Sequence, residues 1–204
     1  MVPVQNAGTL SAEGQVRSRS AGTRCEHAAC RMPNHSRGSM IWNDRLLIEW
    51  ASKDGIEPFD LACINPASID LRWSGRWRQY LPAKVDKPGG WSKTVESALL
   101  DLQPGTLYLL DSLEFIRMPD NAAGTLCLKS SAGRKGLEHL HAGFFDPSFT
   151  GTATWEIHIL IPDPLCIEKG QRLMQLVMED CMVPERSYRE TGRYNSQRGP
   201  TEAR

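Results

Sequence analysis

The sequence carries no excess of either charge: 24 acidic and 24 basic side chains give a formal net charge of +0. A broad electrostatic footprint for nucleic acid is therefore not expected, and any anion site must be local. No run of eighteen apolar residues occurs, which excludes a helical membrane span. The polar N-terminus also lacks the apolar core of a secretory signal, so a soluble, cytoplasmic protein is the expectation. There is no CxxC pair among the six cysteines, Cys25, Cys30, Cys63, Cys127, Cys166 and Cys181. Those beyond Cys30 sit in apolar, strand-like surroundings, the pattern of reduced core cysteines rather than of a disulfide framework. The stretch CEHAACRMPNH brings together Cys25, His27, Cys30 and His35, the ligand types of a zinc knuckle, without the apolar framework that would hold such a set. No P-loop signature and no internal repeat are present.

What is there divides near residue 40. Residues 1–39 are rich in Ser, Gly, Arg, Asn and Ala and have almost no bulky apolar side chain, so they cannot bury enough surface to order themselves. Two readings stay open for them: a disordered extension, or sequence upstream of a true start at Met40. Residues 40–204 have the pattern of one folded domain. Asn43 or Asp44 can cap a helix whose apolar stripe is Leu46, Leu47 and Trp50, ended by Gly55. Short apolar runs follow: SIDLRW, TLYLLDSLEFIRM, GTLCLK, TATWEIHILI, LCIEKG and RLMQLVMEDCMV. One helix followed by many short strands predicts a mainly-β barrel or sandwich. DKPGGWSK reads as an exposed loop. Residues 185–204 form a polar tail that needs a partner or a ligand to become ordered.

The segment KSSAGRKG, Lys129 to Gly136, combines small hydroxyls, bare amides and cations, the makings of an anion cradle. Alone it is equally an exposed basic turn. Its companions are NPASIDLR (Asn65 to Arg72), HAGFFDPSFTGTATWEI (His141 to Ile157) and RYNSQRGP (Arg193 to Pro200). In this order and spacing the four pieces resemble the dCTP deaminase family, which shares its fold with the trimeric dUTP pyrophosphatases. The resemblance covers nearly all of residues 40–204. Against the family's R-S-S-x-x-R-x-G the chain offers Ser130, Ser131, Arg134 and Gly136. Against A-G-[FW]-[IV]-D-P-G-[FW]-x-G it offers Ala142, Gly143, Phe144, Asp146, Pro147 and Gly151, and against the strand ending L-E-[LF] it offers Glu156.

The resemblance implies a dUTPase-like distorted β-barrel or jelly-roll with a short N-terminal helix, assembled as a homotrimer whose sites are shared between subunits. It implies hydrolytic deamination of dCTP to dUTP and ammonia. A carboxylate suits that reaction, because water attacking C4 must lose a proton that the ring nitrogen and departing amine must gain. By resemblance Glu156 is this group, Ser130 and Arg134 fix the water and the charge around it, and the backbone at Ala142 helps hold the nucleophile. Taken alone, Glu156 is an outward-facing strand residue. Lys129, Ser131, Thr154, Tyr188, Arg193 and Gln197 are implied substrate contacts, with Lys129, Arg193 and Gln197 directed at the triphosphate. Asp146 matches the aspartate that meets the 3′-hydroxyl; its bland reading is a turn residue before Pro147. Mg²⁺ is implied on the phosphate oxygens. Zinc is not expected, since neither H-x-E nor P-C-x-x-C occurs. His139 and His141, two apart, would share one face of a strand and suggest a metal pair, or else form a polar wall.

The chain departs from the family at Lys129, where Arg is usual and planar bidentate recognition is lost. It departs again at Leu137 to His141, one residue shorter than usual and reading EHLH where the family is mostly apolar, which bears on base selectivity and dTTP feedback. These departures suit a phage or another divergent branch. Competing readings are a bifunctional enzyme that continues to dUMP and diphosphate, a dUTP diphosphatase, and a non-enzymatic nucleotide-binding relative. The absence of a glycine-rich R-G-x-G-G-F-G-S tail disfavours the dUTP diphosphatase.

Overall fold

The computed structural model describes residues 40–203; the N-terminal extension and the Cys25, His27, Cys30 and His35 set lie outside the described residues. Helix α1 (Asp44–Trp50) starts where Asn43 accepts from the Leu46 amide at 3.1 Å, so Asn43 is the cap. A wide turn, Ala51–Gly55, ends it, with Asp54 in the left-handed region at φ 67°. Gly55 is needed there because a Cβ would lie 2.3 Å from the Trp50 indole nitrogen, which itself donates to the Arg117 carbonyl at 3.0 Å.

Thirteen strands follow: β1 (Ile56–Glu57), β2 (Ile64–Asn65), β3 (Ser68–Leu81), β4 (Gly90–Trp91), β5 (Val95–Glu96), β6 (Leu99–Leu102), β7 (Tyr108–Arg117), β8 (Ala122–Leu128), β9 (Leu137–His139), β10 (Phe144–Phe145), β11 (Thr150–Ile159), β12 (Leu165–Glu168) and β13 (Arg172–Asp180). Helix α2 (Ser130–Gly133) interrupts them and α3 (Tyr188–Thr191) comes after. The main sheet runs β10-β8-β13-β3-β7-β11-β9 in antiparallel pairs, with β1 on β7 and β2, β4 and β5 on β3; β12 and β6 pair separately. The mainly-β expectation holds, as does the short N-terminal helix.

The sheet curls because β3 changes partner along its length. Ile69 to Arg72 pair with β13, whereas Trp73 to Gln79 pair with β7. The register shift falls at Gly75, φ +91°, where a Cβ would meet the Ser97 carbonyl oxygen at 2.9 Å. Inside the curl, Leu71, Trp73, Tyr108, Leu110, Trp155 and Ile157 are fully buried; each aliphatic side chain contributes about 1.5–3 kcal/mol.

Ion pairs tie β3 to β7 and to the segment ahead of β2. Arg72 donates through Nε to Glu114 at 2.6 Å and through Nη1 to Asp60 at 3.1 Å. Burial pushes the Glu114 carboxyl up while Arg72 pulls it back.

Four expectations change. DKPGGWSK is not wholly loop: Gly90 and Trp91 form β4 against Leu81 and Tyr80. KSSAGRKG is not a loop throughout, since Ser130–Gly133 make one helical turn. Of the described cysteines, which are all free, Cys63 is buried in a 3₁₀ turn, Cys127 and Cys181 are half-buried and Cys166 is exposed. Finally, the tail finds its partners in its own chain, because three β11 threonines present the donors and acceptors it needs. Gln197 lies in a parallel bridge with Gly151. Asn195 Oδ1 accepts from the Thr150 amide at 3.0 Å, Gly199 N donates to Thr152 Oγ1 at 3.1 Å, and Thr201 N donates to Thr154 Oγ1 at 3.2 Å.

Candidate active site

β11 alternates strictly from Ala153 onward. Ala153, Trp155, Ile157 and Ile159 face the core, while Thr154, Glu156 and His158 face out. Cross-strand register then sets Glu156 opposite Leu109 of β7, and Leu109 opposite Arg78 of β3. The carboxylate thus stands on the outer face of the sheet, as the bland strand reading anticipates. That face is not open solvent, because the tail crosses it.

Between tail and sheet lies a cavity of about 360 Å³. Its walls include Ala142, Asp146, Thr154, Glu156, Tyr188 and Gln197, so six of the residues singled out from the sequence converge here. Phe145, Phe149 and Tyr188 form an aromatic side, with ring centroids 5.1 Å apart for the first pair and 5.8 Å for the second. Phe149 also gives its carbonyl to the Met118 amide at 2.8 Å, which seats the DPSF turn on the sheet. Ala142 is carried by a close approach: a Cβ on Gly143 would fall 2.5 Å from Leu126 Cβ, and the Gly143 carbonyl accepts from the Leu126 amide at 2.8 Å.

Polar groups around the cavity are short of partners. On the wall, Glu156 Oε2 and Gln197 Oε1 are buried without a hydrogen bond to the protein's own groups, as are both ring nitrogens of His139 behind Glu156. His139 Nε2 stands 3.6 Å from Glu156 Oε2, beyond hydrogen-bond reach. Buried polar atoms are nearly always satisfied, so Glu156 Oε2 and Gln197 Oε1 are free to accept from a polar group that enters the cavity. Gln197 has one firm bond, from Nε2 to the Thr152 carbonyl at 2.8 Å, with its amide oxygen left over.

Five predicted residues are not on the wall of this cavity: Lys129, Ser130, Ser131, Arg134 and Arg193. Ser130, Ser131, Arg134 and Arg193 are exposed on the single chain. Lys129 is half-buried, and its ammonium is 2.6 Å from Asp70 rather than directed at the cavity. His139 and His141 do not share a strand face, because β9 ends at His139, although their rings still meet edge to face with centroids 5.9 Å apart. His139 is buried, while His141 turns out at φ 57° with its side chain 78% exposed. Among the described residues no three His, Cys, Asp or Glu side chains form a group able to hold a metal ion.

Sequence reasoning missed Trp91, Leu109 and Tyr194, all cavity residues. Leu109 was findable from the β7–β11 register. Trp91 gave no signal, since its strand exists only by pairing with Tyr80.

Comparison with known proteins gives one answer. A family model described as dCTP deaminase-like matches residues 44–181. The "dCTP deaminase, dUMP-forming" of Mycobacterium tuberculosis is 37% identical over 164 residues, covering 74% of this chain and 86% of that protein. The protein of the same name from Mycobacterium avium is 37% identical over 168 residues, covering 76% and 88%. Among solved structures, the 2′-deoxycytidine 5′-triphosphate deaminase of Agrobacterium tumefaciens is similar in fold, with a TM-score of 0.59 at 21% identity. The match covers 71% of this chain and 49% of that one.

Proposed function

The chain belongs to the dCTP deaminase-like family of the dUTPase-like superfamily, and on that premise we propose that it deaminates dCTP hydrolytically, giving dUTP and ammonia. The observation that carries the proposal is Glu156, its Oε2 without a hydrogen bond, on the wall of a cavity shared with Ala142, Asp146, Thr154 and Gln197.

In this reading dCTP enters with its base towards Glu156 and its sugar against the Phe149–Tyr188 side, where Asp146 accepts from the 3′-hydroxyl. A water between the carboxylate and C4 gives one proton to Glu156 as its oxygen attacks. Glu156 passes that proton to the ring nitrogen. The adduct then has one hydroxyl proton left, which the same carboxylate carries to the amine. The C–N bond breaks, ammonia leaves and the uracil carbonyl remains, so dCTP and water balance dUTP and ammonia. Ser130 and Arg134 stabilise the developing charge. Since neither lies on the cavity of its own chain, they are supplied by a neighbouring copy in a homotrimer, along with Ser131. Gln197 and Arg193 close over the triphosphate, which brings Mg²⁺ with it as part of the substrate. The working place is the cytoplasm, where free nucleotides are held.

One observation favours a second reading: the mycobacterial relatives carry the name dUMP-forming. A bifunctional enzyme would add a second water at the phosphate chain and release diphosphate.

The test supplies dCTP, dCMP and dUTP in turn with Mg²⁺ and follows ammonia and diphosphate separately, with sedimentation giving the oligomer mass. Ammonia alone from dCTP is the expected result. Both products from dCTP support the second reading, and diphosphate from dUTP without ammonia from dCTP overturns both.

A further inference from the structure

Lys129 heads the basic segment, yet its Nζ lies 2.6 Å from Asp70 Oδ1. Asp70 belongs to β3 and its side chain is 3% exposed, against 22% for Lys129. The same oxygen accepts from Asn65 Nδ2 of β2 at 2.9 Å, and Oδ2 faces Arg172 of β13 at 3.8 Å. One buried carboxylate therefore ties two strands and the residue that precedes α2.

We propose that Asp70 is a positioning residue. It holds Lys129 as a fixed post at the start of α2 and so sets the direction of Ser130 and Arg134. Lys129 serves the helix, not the substrate's phosphates. This rests on the deaminase reading above, in which Ser130 and Arg134 touch the reacting base.

Three observations bear on it. α2 spans four residues and has no side-chain cap at its start, and a helix of that length does not hold itself. Its anchorage comes through Lys129, whose amide donates to the Leu173 carbonyl at 2.9 Å and whose carbonyl accepts from the Ala132 and Gly133 amides at 2.9 and 3.0 Å. Moving the ammonium to a phosphate would leave Asp70 buried with one amide and a distant guanidinium, and separating such a pair is strongly unfavourable.

The experiment compares the full chain with Asp70→Asn, Lys129→Met, the double variant and Lys129→Arg. It measures hydrogen exchange at the amides of residues 132–136 and steady-state ammonia release from dCTP. Both single variants should speed exchange at these amides and lower kcat by about tenfold or more, with a smaller change in KM, because misaligned groups cost turnover. The double variant should be no worse than the worse single one, since both remove the same link. Lys129→Arg, which keeps a cation within reach of the carboxylate, should recover most of the loss. A Lys129→Met that raises KM at unchanged kcat, beside a silent Asp70→Asn, would make Lys129 a phosphate ligand and overturn the proposal. Exchange is read without turnover: a parent chain that releases no ammonia defeats the deaminase reading, while unchanged exchange in the variants defeats the positioning role. If Asp70→Asn does not fold, Lys129→Met, at a partly exposed site, still decides.

Discussion

Replacing Glu156 by Gln removes the proton acceptor of the proposed reaction and alters little else. The amide has nearly the same shape, and the carboxylate it replaces has no hydrogen bond at Oε2 and only a 3.6 Å approach to His139. Side chain and backbone stay on the same alternating strand, so stability should change by less than about 1 kcal/mol. Nucleotide binding should change by less than about threefold, since the phosphate contacts come from other residues and a loss of that size is only some 0.6 kcal/mol. Catalysis is another matter. A positioned acid–base group contributes about 10²–10⁴ in rate, or roughly 3–5 kcal/mol of barrier. Because one carboxylate handles both protons in the proposed reaction, the upper half of that range is expected. Ammonia release at saturating dCTP gives kcat, calorimetric titration with dCTP gives affinity, and a thermal melt controls for folding. A Glu156→Gln chain that folds, binds and deaminates within about tenfold of the parent would refute the assignment of Glu156 as the acid–base group.

Two further outcomes follow from the packing and the buried charge. Gly143→Ala places a Cβ 2.5 Å from Leu126 Cβ, so the loop carrying Ala142 must shift at a cost of about 1–3 kcal/mol; a lower Tm and reduced kcat are expected, and a parent-like melt would contradict the close approach. Burial pushes the Asp111 carboxyl above its ordinary 3.8, against the opposing pull of Ser74 and Arg76. The folded chain therefore holds that proton more tightly than the unfolded chain does. Its stabilising contribution is complete below 3.8 and is lost as pH rises through the higher folded-state value. Urea melts across pH should show the parent losing ground to Asp111→Asn as pH rises, and a flat difference would contradict the shift.

What could be read from the residues was whatever depends on short range. The α1 cap, the alternation on β11 and the turn at Asp146-Pro147 are local and were legible as structure; the family resemblance, not these patterns, singled out Glu156, Ala142 and Asp146, which share one wall. The failures share one cause. Lys129 and Asp70 are 59 positions apart, and no local pattern announces that a basic loop residue will be claimed by a buried acid on another strand. The tail likewise read as needing a partner or ligand because nothing local shows that Thr150, Thr152 and Thr154, strand residues more than 40 positions away, would hold it. Of Ser130, Ser131, Ala132 and Gly133 only Ala132 is a strong helix former, and four residues are too few to hold a helix alone, so α2 arises from anchorage rather than from preference.

The alternation that sets Glu156 outward also sets Trp155 and Ile157 inward, both 0% exposed. A slip of one residue in the pairing of β11 would bury the carboxylate and push an indole into water. Such a molecule would be penalised twice over by elementary solvation, and it would scarcely accumulate. The population that survives folding is therefore also the population with Glu156 facing the cavity, and under the proposed reaction activity per mole of soluble protein becomes a gauge of strand register.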